Sequence, residues 1–126
     1  MLKRTQRGFT LIELMVVMAI IALLLSLALP RYFKHLDMSR ETILRQDLAV
    51  MRDAIDKYHG DTGHYPDSID ALVSARYLRA LPVDPISERS DTWQIVAPPS
   101  GETGAMYDVR SGAPGTAHDG STYADW

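Results

Sequence analysis

The sequence predicts an α+β chain: a long N-terminal helix bent at Pro30, a short second helix, a small antiparallel β-sheet and an ordered C-terminal loop. Three observations carry this. An apolar run from Phe9 to Leu29 is interrupted only by Thr10, Glu13 and Ser26. Helical apolar periodicity resumes beyond Pro30, and alternating aromatic and β-branched residues follow in the last third of the chain.

The apolar run comes first. Its 21 residues, at about 1.5 Å of rise each, span about 30 Å, the thickness of a bilayer's hydrocarbon core. Lys3, Arg4 and Arg7 precede it with no acid among them, so the positive-inside bias holds that end in the cytoplasm. Glu13 is the exception within the run. An acid at the centre of a span costs about 2.5–3.5 kcal/mol on insertion scales, so its default reading is functional, with a positive partner.

A secretory signal shares the basic leader and apolar stretch, and Ser26-Leu27-Ala28 offers small residues for a signal peptidase. That reading leaves Glu13 unexplained and puts Pro30 just after the cut. A plain one-helix anchor leaves Glu13 equally idle. Cleavage between Gly8 and Phe9 instead makes the apolar segment the new N-terminus, with an α-amine of ordinary pKa about 8 on Phe9. That amine can meet Glu13 of its own chain, an i,i+4 step away, or Glu13 of a neighbouring copy. Only the second pairing sets axial register between subunits.

Gly8-Phe9-Thr10-Leu11-Ile12-Glu13 resembles the processing motif of the type IV pilin superfamily, which includes pilins, secretion pseudopilins and DNA-uptake pseudopilins. The resemblance implies cleavage by a prepilin peptidase after Gly8, N-methylation of Phe9, and subunit alignment through Glu13. It divides the chain into a cleaved leader (1–8), a transmembrane and filament-core half-helix (9–29), and a periplasmic head (30–126) that includes the amphipathic half of helix 1.

The elements beyond the span follow from local chemistry. Pro30 removes one backbone donor and crowds the preceding turn, so it predicts a kink within a helix that continues. Leu44, Leu48, Met51, Ile55 and Tyr58 recur at steps of four and three, with Leu36 two turns earlier. They form one apolar core stripe. Arg40, Arg45, Arg52, Asp53 and Lys57 make a charged, solvated face, with Asp53 and Lys57 as an i,i+4 pair. Gly60 and Gly63 end this helix. Asp67 or Ser68 caps a second one through Ile69, Leu72 and Val73 that fades near Tyr77-Leu78. Trp93–Val96 and Met106–Val109 read as strands of a hairpin with a long Pro/Gly loop. The Gly/Ser/Thr/Ala-rich tail ends in an apolar anchor, Trp126, and is expected to fold back on the sheet.

Composition limits the function. Of 13 basic residues three lie in the leader, which leaves 10 against 16 acids, a net charge of −6. A body of that sign lacks the basic footprint that nucleic acid requires. The chain has no cysteine, so no disulfide closes its C-terminal region. His35, His59, His64 and His118 form no zinc spacing. No Gly-x-Ser-x-Gly elbow or glycine-rich phosphate loop is present, so the chain is not expected to be an enzyme.

Tyr65-Pro66, Leu81-Pro82-Val83-Asp84-Pro85, the Trp93 strand and Trp126 are similar to the G-type major pseudopilin family of type II secretion. That resemblance implies a homo-oligomeric helical filament and minor pseudopilins as partners. It also implies an inner-membrane assembly platform with a cytoplasmic ATPase, and a single-pass inner-membrane location before assembly. In that family the C-terminal loop often holds calcium. Here Ser121 and Thr122 stand where it usually carries paired aspartates, so Asp119, Asp125 and Asp108 are the residues left for a weak calcium site, and no cofactor is required. Two alternatives remain: a type IV pilus subunit, and a DNA-uptake pseudopilin, which the negative body disfavours.

Overall fold

Helix α1 runs from Leu11 to Thr62 and passes through Pro30 without a break. These features come from a computed structural model that describes residues 7–126. Lys3 and Arg4 of the basic leader lie outside the described residues. The chain divides into two compact units, Met1–Asp37 and Met38–Trp126.

In the first unit every described residue is exposed. The side chains from Leu11 to Leu29 include the most apolar stretch of the chain, and no part of the described chain covers them. Helix formation here rests on aliphatic propensity and on a cap. Thr10 Oγ1 accepts a hydrogen bond from the Glu13 amide at 3.2 Å, while Thr10 O accepts from Leu14 N. A threonine cap satisfies one of the amides that a helix start leaves orphaned.

The second unit holds the core. Leu44, Leu48, Met51 and Ile55 are buried along one stripe of α1, joined by Ala54, and Tyr58 packs at the edge. Leu36 does not join them. It is 37% exposed and precedes this unit, so the stripe stops with the head it serves. Asp53 and Lys57 form the expected pair at 2.8 Å. The helix closes where Gly63, at φ +79°, donates its amide to His59 O; a left-handed position of this kind suits glycine.

Helix α2, Ile69–Ser74, starts at a Ser68 cap whose hydroxyl accepts from Ala71 N. It stops short of the expected Tyr77-Leu78 because Arg76 turns to φ 65°, and the Tyr77 and Leu78 amides fold back onto Leu72 O. That turn buries Leu72 and Leu78 together. No residue type at position 76 signals it.

Strands β1, Gln94–Val96, and β2, Asp108–Arg110, pair antiparallel with Ile95 opposite Val109. Each is shorter than its sequence pattern, since Trp93 and Met106 enter the core from just outside the ladder. Two three-residue strands are too small to stand alone; buried Val109 and the bonds from Arg52 to Asp108 and Val109 O tie β2 to α1. The loop before β1 is organised by Asp84, fully buried yet satisfied. It accepts the Ser111 hydroxyl at 2.6 Å and the amides of Ile86 and Ser87. Trp93 Nε1 donates to Pro82 O at 2.8 Å in the same corner.

Gly112 brings β2's exit against this loop. A Cβ there would collide with Thr92 O, a backbone atom that cannot swing away. Gly112→Ala is expected to destabilise the head by about 1–3 kcal/mol, the usual cost of overpacking, as read from the denaturant midpoint.

Candidate functional site

The segment ahead of α1 is open. Residues 7–10 are exposed and outside any helix or strand, so the Gly8–Phe9 bond lies in accessible, non-helical backbone. Among the described residues beyond its chain neighbours, nothing lies within 4 Å of where a Gly8 Cβ would be, and Phe9 is 89% exposed. A protease needs its substrate backbone free of internal hydrogen bonds, and a helix beginning at Leu11 leaves this bond free. Glu13 sits in the first turn of α1, where the positive end of the helix dipole favours a carboxylate. Thr10-x-x-Glu13 is a capping-box pattern. The sequence carried that signal, and it gives Glu13 a local role at the helix start.

The C-terminal loop forms a second cluster. Asp108, Asp119 and Asp125 do not come together as one ligand set. Asp108 Oδ1 accepts from Arg52 Nε at 2.8 Å and from Val109 N. Asp119 accepts from Arg45 Nη2 at 3.0 Å and from the amide and hydroxyl of Ser121. Asp125 is exposed within a 3₁₀ turn, Tyr123–Asp125. Among the described residues no group of three or more His, Asp or Glu side chains is placed to hold a metal ion. His59 stacks on Tyr65, while His64 packs edge-on against Tyr58.

The tail is clasped to α1, where the sequence had suggested the sheet. Glu41 Oε1 accepts three hydrogen bonds: the His118 amide at 3.0 Å, His118 Nδ1 at 2.9 Å and the Tyr123 hydroxyl at 2.8 Å. One turn on, the Arg45 guanidinium carbon lies 4.0 Å from the Trp126 ring centroid while its Nη2 holds Asp119. Trp126 Nε1 donates to Ser121 Oγ at 2.7 Å. Arg45 and Arg52, expected on a solvated face, are thus the helix's grips on the tail and on β2.

Burial opposes ionisation of Glu41, yet hydrogen bonds from His118 and Tyr123 hold its carboxyl below the ordinary carboxylate value. Hydrogen bonds from Ser121, helped by Arg45, lower Asp119 likewise. Acids lowered in the fold contribute stability above their unfolded values, about 4. That contribution is lost as pH falls through the folded ones. The clasp is therefore expected to hold at neutral pH and to open in acid below about pH 4. The Trp126 indole N–H signal in NMR reads this, and it should shift before the core unfolds.

A long α1, a short α2, a two-stranded sheet and an exposed, cleavable apolar N-terminus define the pilin-like class of processed N-terminal-helix subunits. In accord with it, the family described as "Prokaryotic N-terminal methylation motif" matches residues 3–29. The type II secretion system core protein G of Klebsiella michiganensis is 32% identical, over 94% of this chain and 94% of that protein. The protein of that name in Escherichia coli K12 is 34% identical over 86% of this chain and 82% of its own length. Fimbrial protein EcpC of Eikenella corrodens is 33% identical over 96% of this chain and 82% of its own length. No solved structure gives a significant match. The chain belongs to the type II secretion system core protein G family.

Proposed function

We propose that this chain is the structural subunit of a helical pseudopilus that drives type II protein secretion, matured by a prepilin peptidase at Gly8–Phe9. The observation that carries the reading is the uncovered apolar face of α1, headed by an accessible cleavage bond and a single acid, Glu13. Such a face needs lipid before assembly and neighbouring copies after it. Against lipid, association gains little from burial alone, because acyl tails are already apolar; packing and polar pairing decide it. The freed amine of Phe9, N-methylated and still cationic, supplies that pairing by meeting Glu13 of the adjacent subunit.

The chain rests in the inner membrane with its N-terminus cytoplasmic and its head periplasmic. Extraction into the filament is driven by a cytoplasmic ATPase through an inner-membrane platform, with minor pseudopilins as partners. The role is structural and no catalysis is assigned to it. The calcium reading of Asp108, Asp119 and Asp125 gains no support from Asp108 and Asp119, whose carboxylates are held by Arg52 and Arg45.

Intact-mass and N-terminal analysis of the mature protein tests the core of this reading. The expected product begins at Phe9 and carries one methyl group. Any other N-terminus overturns it. A second reading, a type IV pilus subunit, is favoured by the likeness to fimbrial protein EcpC. Deletion separates the two: loss of protein export marks a pseudopilin, and loss of surface fibres with export intact marks a pilin.

A further inference from the structure

Past Leu29 and Pro30, α1 presents Arg31, Tyr32, Phe33, Lys34 and His35 in succession, all helical and all exposed. Arg31 lies three residues from Lys34 and four from His35, so the three basic groups share one face of the helix. Arg31 and Lys34 enter no ion pair among the described residues, whereas Arg40, Arg45 and Arg52 further along are each matched to an acid. Beside Arg31 and Tyr32, Leu24, Leu27 and Ala28 line a shallow apolar groove. The rings of Tyr32 and Phe33 meet edge to face, 5.9 Å between centroids.

Position decides what this combination faces. From Leu11 to Arg31 the helix rises about 30 Å, the depth of the hydrocarbon layer. With the helix start at one boundary, the guanidinium emerges among the phosphates of the other leaflet. Aromatic rings favour that depth, and a planar guanidinium can fork two phosphate oxygens.

We propose that Arg31 and Lys34 bind the phosphate of an anionic phospholipid in the leaflet through which the head emerges. The lipid's acyl chain lies along Leu24, Leu27 and Ala28. The proposal rests on the membrane-anchored reading above. An anionic headgroup is preferred because a zwitterionic one brings its own cation into competition with the two side chains. Each unpaired basic residue near an anionic surface is worth roughly a fivefold preference.

The test uses the full-length chain in mild detergent, titrated with an equimolar mixture of phosphatidylglycerol and phosphatidylcholine. Retained lipid is identified by native mass spectrometry. Wild type is expected to retain phosphatidylglycerol by roughly 25-fold over phosphatidylcholine, and the Arg31→Gln/Lys34→Gln variant to retain the two equally. Arg76→Gln/Arg79→Gln removes the same charge from the head and should keep the selectivity. Equal retention by wild type overturns the proposal, as does loss of selectivity in the head variant, which would reduce the effect to net charge. Displacement of the lipid by millimolar inorganic phosphate would show a free-anion site and overturn it too. Flotation with neutral vesicles separates the two levels. A chain that floats but shows no selectivity sinks only the lipid site, and a chain that does not float sinks the membrane anchor with it.

Discussion

Glu13→Ala is expected to yield a chain that is cleaved, methylated and inserted in the membrane but does not grow filaments. The physical reason is asymmetric. Removing the acid leaves each neighbour's Phe9 amine inside the apolar core of the polymer without a counter-charge, and breaking a buried pair by deleting one partner costs about 3–5 kcal/mol. Repeated at every interface, that is enough to stop elongation. The cap geometry offers a rival cause, since Glu13 also belongs to the first turn that Thr10 organises. Glu13→Gln separates them: it keeps a polar group able to serve the helix start and removes the charge. Both variants are expected to fail in electron microscopy of assembled filaments. Growth of the glutamine variant at the parental rate would assign the residue to capping and overturn the charge pairing.

Gly8→Leu accumulates as uncleaved precursor. Among the described residues beyond its chain neighbours, none lies within 4 Å of the position a Cβ would enter, so the substitution meets no packed contact there. Its effect falls on the peptidase, where a displaced scissile bond slows cleavage on the order of a hundredfold. Intact mass of the membrane fraction reads this directly, and normal maturation of the variant removes Gly8 from the cleavage site. The two variants block consecutive steps, so the double variant should match Gly8→Leu alone.

The elements legible in the sequence are those set by local chemistry. The apolar run, the stripe from Leu44 to Ile55, the Ser68 cap and the Asp53–Lys57 pair each depend on residues within a turn or two of one another. What escaped depends on where distant segments return. Nothing near Glu41 or Arg45 announces that His118, Asp119, Tyr123 and Trp126 will arrive more than 70 residues later. By periodicity alone Arg45 belongs to a charged outer face, while Glu41, three residues before Leu44, borders the apolar stripe. Nothing beside Asp84 announces its burial, which the Ser111 hydroxyl, 27 residues on, helps the local Ile86 and Ser87 amides to satisfy. Leu36 failed the other way: its spacing fits the stripe, but the head that would cover it begins beyond it. For the N-terminal site, Gly8, Phe9 and Glu13 were legible from order alone, while the Thr10 cap was present in the pattern and was not read.

The start of α1 at Leu11 has a consequence for maturation. Before cleavage, the positive pole of the helix is preceded by a neutral peptide link between Gly8 and Phe9. Afterwards a full cation stands two residues ahead of that pole, and like signs at a helix start repel. Methylation leaves that cation in place, so cleavage exchanges Lys3, Arg4 and Arg7 of the leader for one positive charge set beside the helix start. Glu13 of the same chain is an i,i+4 step away, so an acid from another subunit has to outcompete a partner already within reach before trimming commits the chain to a neighbour.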